Sequence, residues 1–167
     1  MISLAPADLA GSARLTAALL ALNNAHELEL SRLTAERLRH LVSNTFLAKR
    51  IGQAEALLIA FDQDADYDSP NFLWFRSRFA TFVYVDRIVV AAEARGRGHA
   101  GRLYRDLFAC AAQAGHNRIV CEVNLKPPNP LSDAFHAALG FSEVGRGSVN
   151  SDKVVRYLCC QLKEAHQ

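Results

Sequence analysis

At 167 residues the chain has the length of a single domain, 1–167, with enough residues to bury a sizeable core. Half of it (50%) is hydrophobic and 22% is charged, and 19 basic against 17 acidic residues leave a net charge of +2. That balance argues against a nucleic-acid-binding face or an anionic-membrane binder, and no apolar run reaches the length of a membrane span. From the N-terminus, 2–5 reads as a short edge strand, with Asp8 as cap for a helix running to about Asn23. Leu15, Ala18, Leu19 and Leu22 give that helix its apolar face. The flanks of this run, Asp8 before it and Asn23-Asn24 after it, are not those of a signal peptide, so a soluble cytoplasmic protein is expected. A second helix starts at Thr34, and 46–51 with 54–61 reads as a hairpin around Gly52. Segment 62–78 is polar and aromatic. Its alternating Asp62, Asp64, Asp66 and Asp68 resemble a calcium loop, but Tyr67 and Leu73 replace the required Gly and Glu, which leaves a solvated acidic loop. The apolar cluster Phe72-Leu73-Trp74-Phe75 reads as core or dimer packing, with a pocket lid as the alternative. A long strand over 79–91, a helix over 100–114, a strand over 119–123 and a closing strand over 154–162 complete the chain. The cysteines Cys110, Cys121, Cys159 and Cys160 have neither disulfide nor metal-ligand spacing, and no His/Cys constellation points to a metal.

The most informative stretch is Ile88-Val89-Val90, a strand end, followed after a short linker by Arg95-Gly96-Arg97-Gly98-His99-Ala100-Gly101 at the start of a helix. A glycine turn opening a helix exposes backbone N–H groups at the positive end of the helix dipole. Arg95 and Arg97 add bidentate phosphate donors, so the segment suits a pyrophosphate. The glycines also match the dinucleotide pattern G-x-G-x-x-G, with Glu122 about twenty residues beyond. Against that reading, residues 91–95 separate strand from glycines, and too little chain follows for a run of alternating βαβ units. An NAD-type oxidoreductase is therefore the distant alternative.

The frame Arg95-x-x-Gly98-x-Ala100 resembles the acyl-CoA-binding signature of the GCN5-related N-acetyltransferases, written (Q/R)-x-x-G-x-(G/A). A second stretch, Asn129-Pro130-Leu131-Ser132-Asp133-Ala134-Phe135-His136 leading to Gly140-Phe141, resembles the second signature of the same superfamily. Its local physics agrees: Asn129 suits an N-cap, Pro130 the first helical position, and Gly140 the C′ position. From Thr81 to Phe141 the resemblance is close; in the first 75 residues it is one of element order. It implies an α/β single-domain acyl-CoA N-acyltransferase fold, with a mixed, mostly antiparallel central sheet and helices on both faces.

The resemblance also implies acetyl-CoA as acyl-donor cosubstrate and direct acetyl transfer to a primary amine of a small molecule, amino acid or peptide. Backbone groups of Ile88, Val89 and Val90 would follow the pantetheine, and the amides of 96–101, with Arg95 and Arg97, the pyrophosphate. His99 is expected to face outward. Asn129 and Ser132 match positions that contact CoA in relatives, although a helix start explains their polarity equally well. His136 stands where many relatives carry the Tyr that protonates the leaving thiolate. An imidazole can give that proton, or simply pack. Asp86 is an unusual carboxylate in the alternation Phe82-x-Tyr84-x-Asp86-x-Ile88, and in several polyamine-acetylating relatives a base stands there; a salt bridge to Arg87 is the bland alternative. Glu122 is the second candidate base, or one residue of a solvated face. Asn23, Asn24, His26 and Glu27 fall on the acceptor side by resemblance. A homodimer is the default oligomer. The alternative within the same fold is an acyl-CoA-binding sensor or partner module without turnover.

Overall fold

The structure, a computed structural model, describes residues 1–163. The strands form a seven-stranded sheet in the order β1-β2-β3-β4-β5-β7-β6, and the chain divides into two compact units, each discontinuous in sequence. The first unit takes 1–66 and 85–107, the second 67–84 and the chain from 108 onward.

In the first unit β1 (Ile2–Ser3) is a two-residue edge strand antiparallel to β2 (Leu47–Ile51). β2 pairs antiparallel with β3 (Ala56–Asp62), whose apolar run is buried from Ala56 to Phe61. A strand apolar on both faces is an interior strand. β4 (Val83–Val90) follows it in the sheet and contributes Val85 onward to this unit. The helical start is broken where a single helix was expected. α1 (Pro6–Gly11) ends at Ser12, whose Oγ accepts the Leu15 N–H (3.1 Å) and so opens α2 (Ala13–Asn24). Asp8 does cap, but α1 alone: its carboxylate accepts the Ala5 N–H at 2.7 Å. Thr34 starts α3 (Ala35–Ser43) as its residue type suggests, accepting the Arg37 N–H at 3.1 Å.

In the second unit α4 (Pro70–Arg76) stands where the sequence suggested loop. Pro70 sets its first turn, and Phe72 and Phe75, one turn apart, are fully buried against Phe82 and Tyr84. Two buried phenylalanines stabilise by about 1.5–3 kcal/mol each, enough to fix so short a helix. Of the apolar cluster, Phe72 and Phe75 are therefore core, while Trp74 is half-buried and Leu73 exposed. The parallel ladder between β4 and β5 (Arg118–Lys126) registers Val83 with Ile119 and Tyr84 with Val120. α6 (Pro130–Ala138) precedes β6 (Ser142–Asn150) and β7 (Lys153–Gln161), and β7 lies antiparallel between β5 and β6. β6 was not foreseen: it is a largely exposed, glycine-bearing edge strand without the apolar alternation of a half-buried one. α5 (His99–Gln113) runs through both units.

Candidate active site

The glycine turn takes its form in the first unit. Beyond Val90, the Ala91 N–H donates to the Glu55 carbonyl (2.8 Å) and Ala92–Ala94 make one 3-10 turn. Arg95 is extended, Gly96 and Gly98 then adopt φ of 78° and 75°, and α5 begins at His99. Only glycine takes that pair of conformations without strain. A Cβ on either would meet nothing within 4 Å, so the backbone here stands clear of side chains. Arg95 and Arg97 are exposed. The Arg97 guanidinium donates to the Glu93 carbonyl (3.4 Å), and that of Arg95 lies 3.3 Å from His26 Nε2. The first turn of a 15-residue helix, bare backbone and two guanidinium groups together could hold an anion, and their chemistry suits a pyrophosphate.

His99 departs from expectation. Its side chain turns inward, 7% exposed, with Nε2 3.1 Å from Glu55 Oε2. The turn between β2 and β3 delivers Glu55 to the start of α5, so the imidazole props the loop from the protein side. Contact with an anion would fall to the His99 backbone.

Asp86 and Arg87 form a buried pair, with side chains 5% and 3% exposed and Arg87 Nε donating to Asp86 Oδ2 at 2.7 Å. The guanidinium reaches on to Asn23 Oδ1 (2.8 Å) and Ser31 Oγ (3.3 Å). Asn24 closes the same loop, donating to the Leu33 carbonyl and accepting the Leu33 N–H (3.0 and 2.9 Å). Arg87 therefore ties β4 to the end of α2 and the turn after it. Breaking such a pair leaves an uncompensated buried charge, at a cost of about 3–5 kcal/mol.

In the second unit Glu122 sits on β5 at the centre of a hydrogen-bonded set. Its Oε1 accepts from the Tyr84 hydroxyl (3.0 Å) and from Asn71 Nδ2 (3.1 Å), and the Tyr157 hydroxyl donates to Asn71 Oδ1 (3.0 Å). Burial and the Glu122 charge push the Tyr157 phenol upward, against a smaller effect of Arg78, so Tyr157 remains a protonated donor. Asn129 N-caps α6 by accepting the Ser132 N–H (3.3 Å). His136 is 5% exposed, packed edge-on to Phe135 and Phe141, with Nδ1 2.7 Å from the Ser132 carbonyl. A carbonyl only accepts, so Nδ1 carries the proton. Burial lowers the His136 pKa below 6.5; the Ser132 bond and the Asp133 charge oppose it and do not overcome it. Burial also raises the thiol pKa values of Cys159 and Cys160.

Against known families, the model of the acetyltransferase (GNAT) family matches residues 26–141. The chain belongs to the GNAT family. The matched segment contains the glycine turn of α5, Glu122 and the whole of α6. No curated protein matches the GNAT chain in sequence. Among solved structures it is similar to the ribosomal-protein-S18-alanine N-acetyltransferase of Escherichia coli, with TM-score 0.67 at 14% identity over 99% of this chain and 95% of that one. It is also similar to Chaetomium thermophilum Naa20 solved with a bisubstrate analogue, with TM-score 0.67 at 17% identity over 98% and 86%. A GNAT-family acetyltransferase of Streptococcus pneumoniae gives TM-score 0.66 at 15% identity over 97% and 98%. At these identities the likeness is one of fold.

The structure thus gathers Arg95, Gly96, Arg97 and Gly98 at one helix start, pairs Asp86 with Arg87, and surrounds Glu122 with Asn71, Tyr84 and Tyr157. Those last three were not singled out by sequence. Tyr84 shares the strand alternation with Asp86 and carried a signal; Asn71 and Tyr157 carried none.

Proposed function

We propose that this GNAT protein is an acetyl-CoA-dependent N-acetyltransferase that acetylates a primary amine of a small molecule, amino acid or peptide. The observation that carries the donor half is the positive-φ pair Gly96 and Gly98 opening α5 between exposed Arg95 and Arg97. The loop amides and the guanidinium groups would hold the pyrophosphate, with Ile88, Val89 and Val90 along the pantetheine, and Asn129 and Ser132 as further donor contacts.

In the transfer, the neutral amine attacks the thioester carbonyl, the C–N bond forms as the C–S bond breaks, and the proton shed by nitrogen passes to a base. We assign that base to Glu122, whose carboxylate is supported in its ionised form by two donors. The leaving thiolate then takes up a proton as free CoA. Asp86 is assigned to anchoring Arg87, since its carboxylate is buried against the guanidinium. His136 is assigned to holding α6, because its Nδ1 proton is committed to the Ser132 carbonyl and burial opposes the imidazolium that would deliver another from Nε2. Direct transfer suits cysteines whose thiolate forms are disfavoured.

The test is thiol release from acetyl-CoA over amines, amino acids and peptides with free N-termini. Alanine-led peptides are included because a structural neighbour is an alanine N-acetyltransferase. Turnover with one acceptor class is expected, falling about a hundredfold or more in Glu122→Gln, the usual weight of a general base. Silence across the panel would count against the enzyme, and an unaltered rate in Glu122→Gln would remove the carboxylate from the chemistry.

A further inference from the structure

Glu122 is more elaborately held than a solvated strand carboxylate has reason to be. Four elements of the second unit converge on it: α4 through Asn71, β4 through Tyr84, β7 through Tyr157, and β5 itself. An ionised carboxylate can only accept, which dictates the polarity of every link. Asn71 must turn Nδ2 toward Glu122, which leaves Oδ1 for Tyr157, and Tyr157 must donate. The Tyr157 ring is placed for this by Trp74, stacked on it at 4.0 Å between centroids and 20° between planes. The adjoining edge strand makes room: a Cβ at Gly147 would run into the Tyr157 hydroxyl, and one at Gly145 into the Trp74 ring.

We infer that Asn71, Tyr84 and Tyr157 are positioning residues for Glu122, with Asn71 and Tyr84 fixing Oε1 and its negative charge, and Tyr157 acting through Asn71 by locking the orientation of the amide. The inference rests on the proposed role of Glu122 as proton acceptor. Two donors on Oε1 fix the orientation of the carboxylate as well as favouring its charge. Tyrosine and asparagine donors orient a carboxylate without the neutralising cation that would weaken it more as a base. Among the described residues the titratable and charged neighbours include Tyr84, Tyr67 (ring 6.5 Å from that of Tyr84), Tyr157, and Arg78, whose guanidinium lies 3.7 Å over Trp74 and acts on Tyr157. Each is a phenol or a guanidinium, so none changes charge where carboxylates titrate.

The test is a carboxyl-carbon NMR titration of the full-length chain labelled with 13C at glutamate, with Glu122→Gln identifying the resonance. Asn71→Ala and Tyr84→Phe are each expected to raise the Glu122 midpoint by about one unit, because each removes a bond to the charged form. Tyr157→Phe should raise it by less. The double variant Asn71→Ala/Tyr157→Phe should shift it no further than Asn71→Ala alone, since the Tyr157 hydroxyl bonds Asn71 and the phenol stays neutral, without a charge of its own to act on Glu122, where carboxylates titrate. Additive shifts, or a midpoint indifferent to all three residues, would overturn the inference. If Asn71→Ala does not fold, Asn71→Ser replaces it in both arms. With any acceptor that turns over, Tyr157→Phe should lower kcat and leave KM in place, moving the acidic limb of the pH profile upward; a change in KM alone counts against it. The titration requires neither donor nor acceptor, so a negative amine panel and a negative titration are separate results.

Discussion

Placed on a helix beside a family signature, His136 invites a catalytic assignment, yet its surroundings favour a ring that stays neutral. Burial is the largest influence on it and moves its pKa below 6.5. The linkage has a definite sign. In the unfolded chain the ring protonates near 6.5, while in the folded chain it resists to lower pH. Between those two values the unfolded state binds more protons, so stability falls as pH drops through the window and is unaffected above it. Urea midpoints taken from pH 7.5 down to 5.5 should therefore decline, and His136→Gln, which carries no titrating ring, should decline less steeply. Parallel slopes in the two proteins would show that other groups dominate acid sensitivity. Glu122 differs in kind: it is a half-buried carboxylate whose Oε1 accepts two neutral donors.

At the scale of elements, what was legible in the chain was what is locally encoded. Thr34 and Asn129 announce α3 and α6 because a capping oxygen serves an N–H only three residues away. The glycine turn is equally local, and Gly98 offers its sharpest test. An L-residue forced to φ near 75° bears about 1–2 kcal/mol of strain. Gly98→Ala should lose stability by that amount and bind CoA at least about tenfold more weakly, or about 1.4 kcal/mol, by calorimetry. Gly11→Ala, at a helix end with open space around it and no positive φ, is the control that should change neither by much. Unchanged CoA affinity in Gly98→Ala would move phosphate binding off this turn. α4 escaped a sequence reading because Phe72-Leu73-Trp74-Phe75 has no polar interruption to reveal its period, and only packing shows that Phe72 and Phe75 are the inward pair. β6 escaped because its partner β7 is set by long-range pairing rather than by alternation of its own. The Glu122 set is the extreme case, joining residues as far apart as Asn71 and Tyr157, so no local pattern could encode it.

For the whole molecule, the question is which pyrophosphate ligand stabilises the fold. CoA and NAD share that group, and both match a glycine turn at a helix start, so charge alone does not separate them. A net charge of +2 also gives no general attraction for anions, which makes a stability shift a report of specific binding. What separates them is the backbone between strand and glycines: the 3-10 turn Ala92–Ala94 and the extended Arg95 intervene, where a dinucleotide turn follows its strand directly. A ligand bound only by the folded chain at a hundred times its Kd contributes about 2.7 kcal/mol. For a chain of this size that corresponds to a rise in Tm of roughly 5–10 °C. CoA and acetyl-CoA should each produce it and NAD at the same concentration should not. A shift with NAD and none with CoA would overturn the donor assignment. A shift with acetyl-CoA beside a silent amine panel would instead favour a protein that binds the acyl donor without turning it over, since the anion loop and the Glu122 set would then have separated in function while sharing one chain.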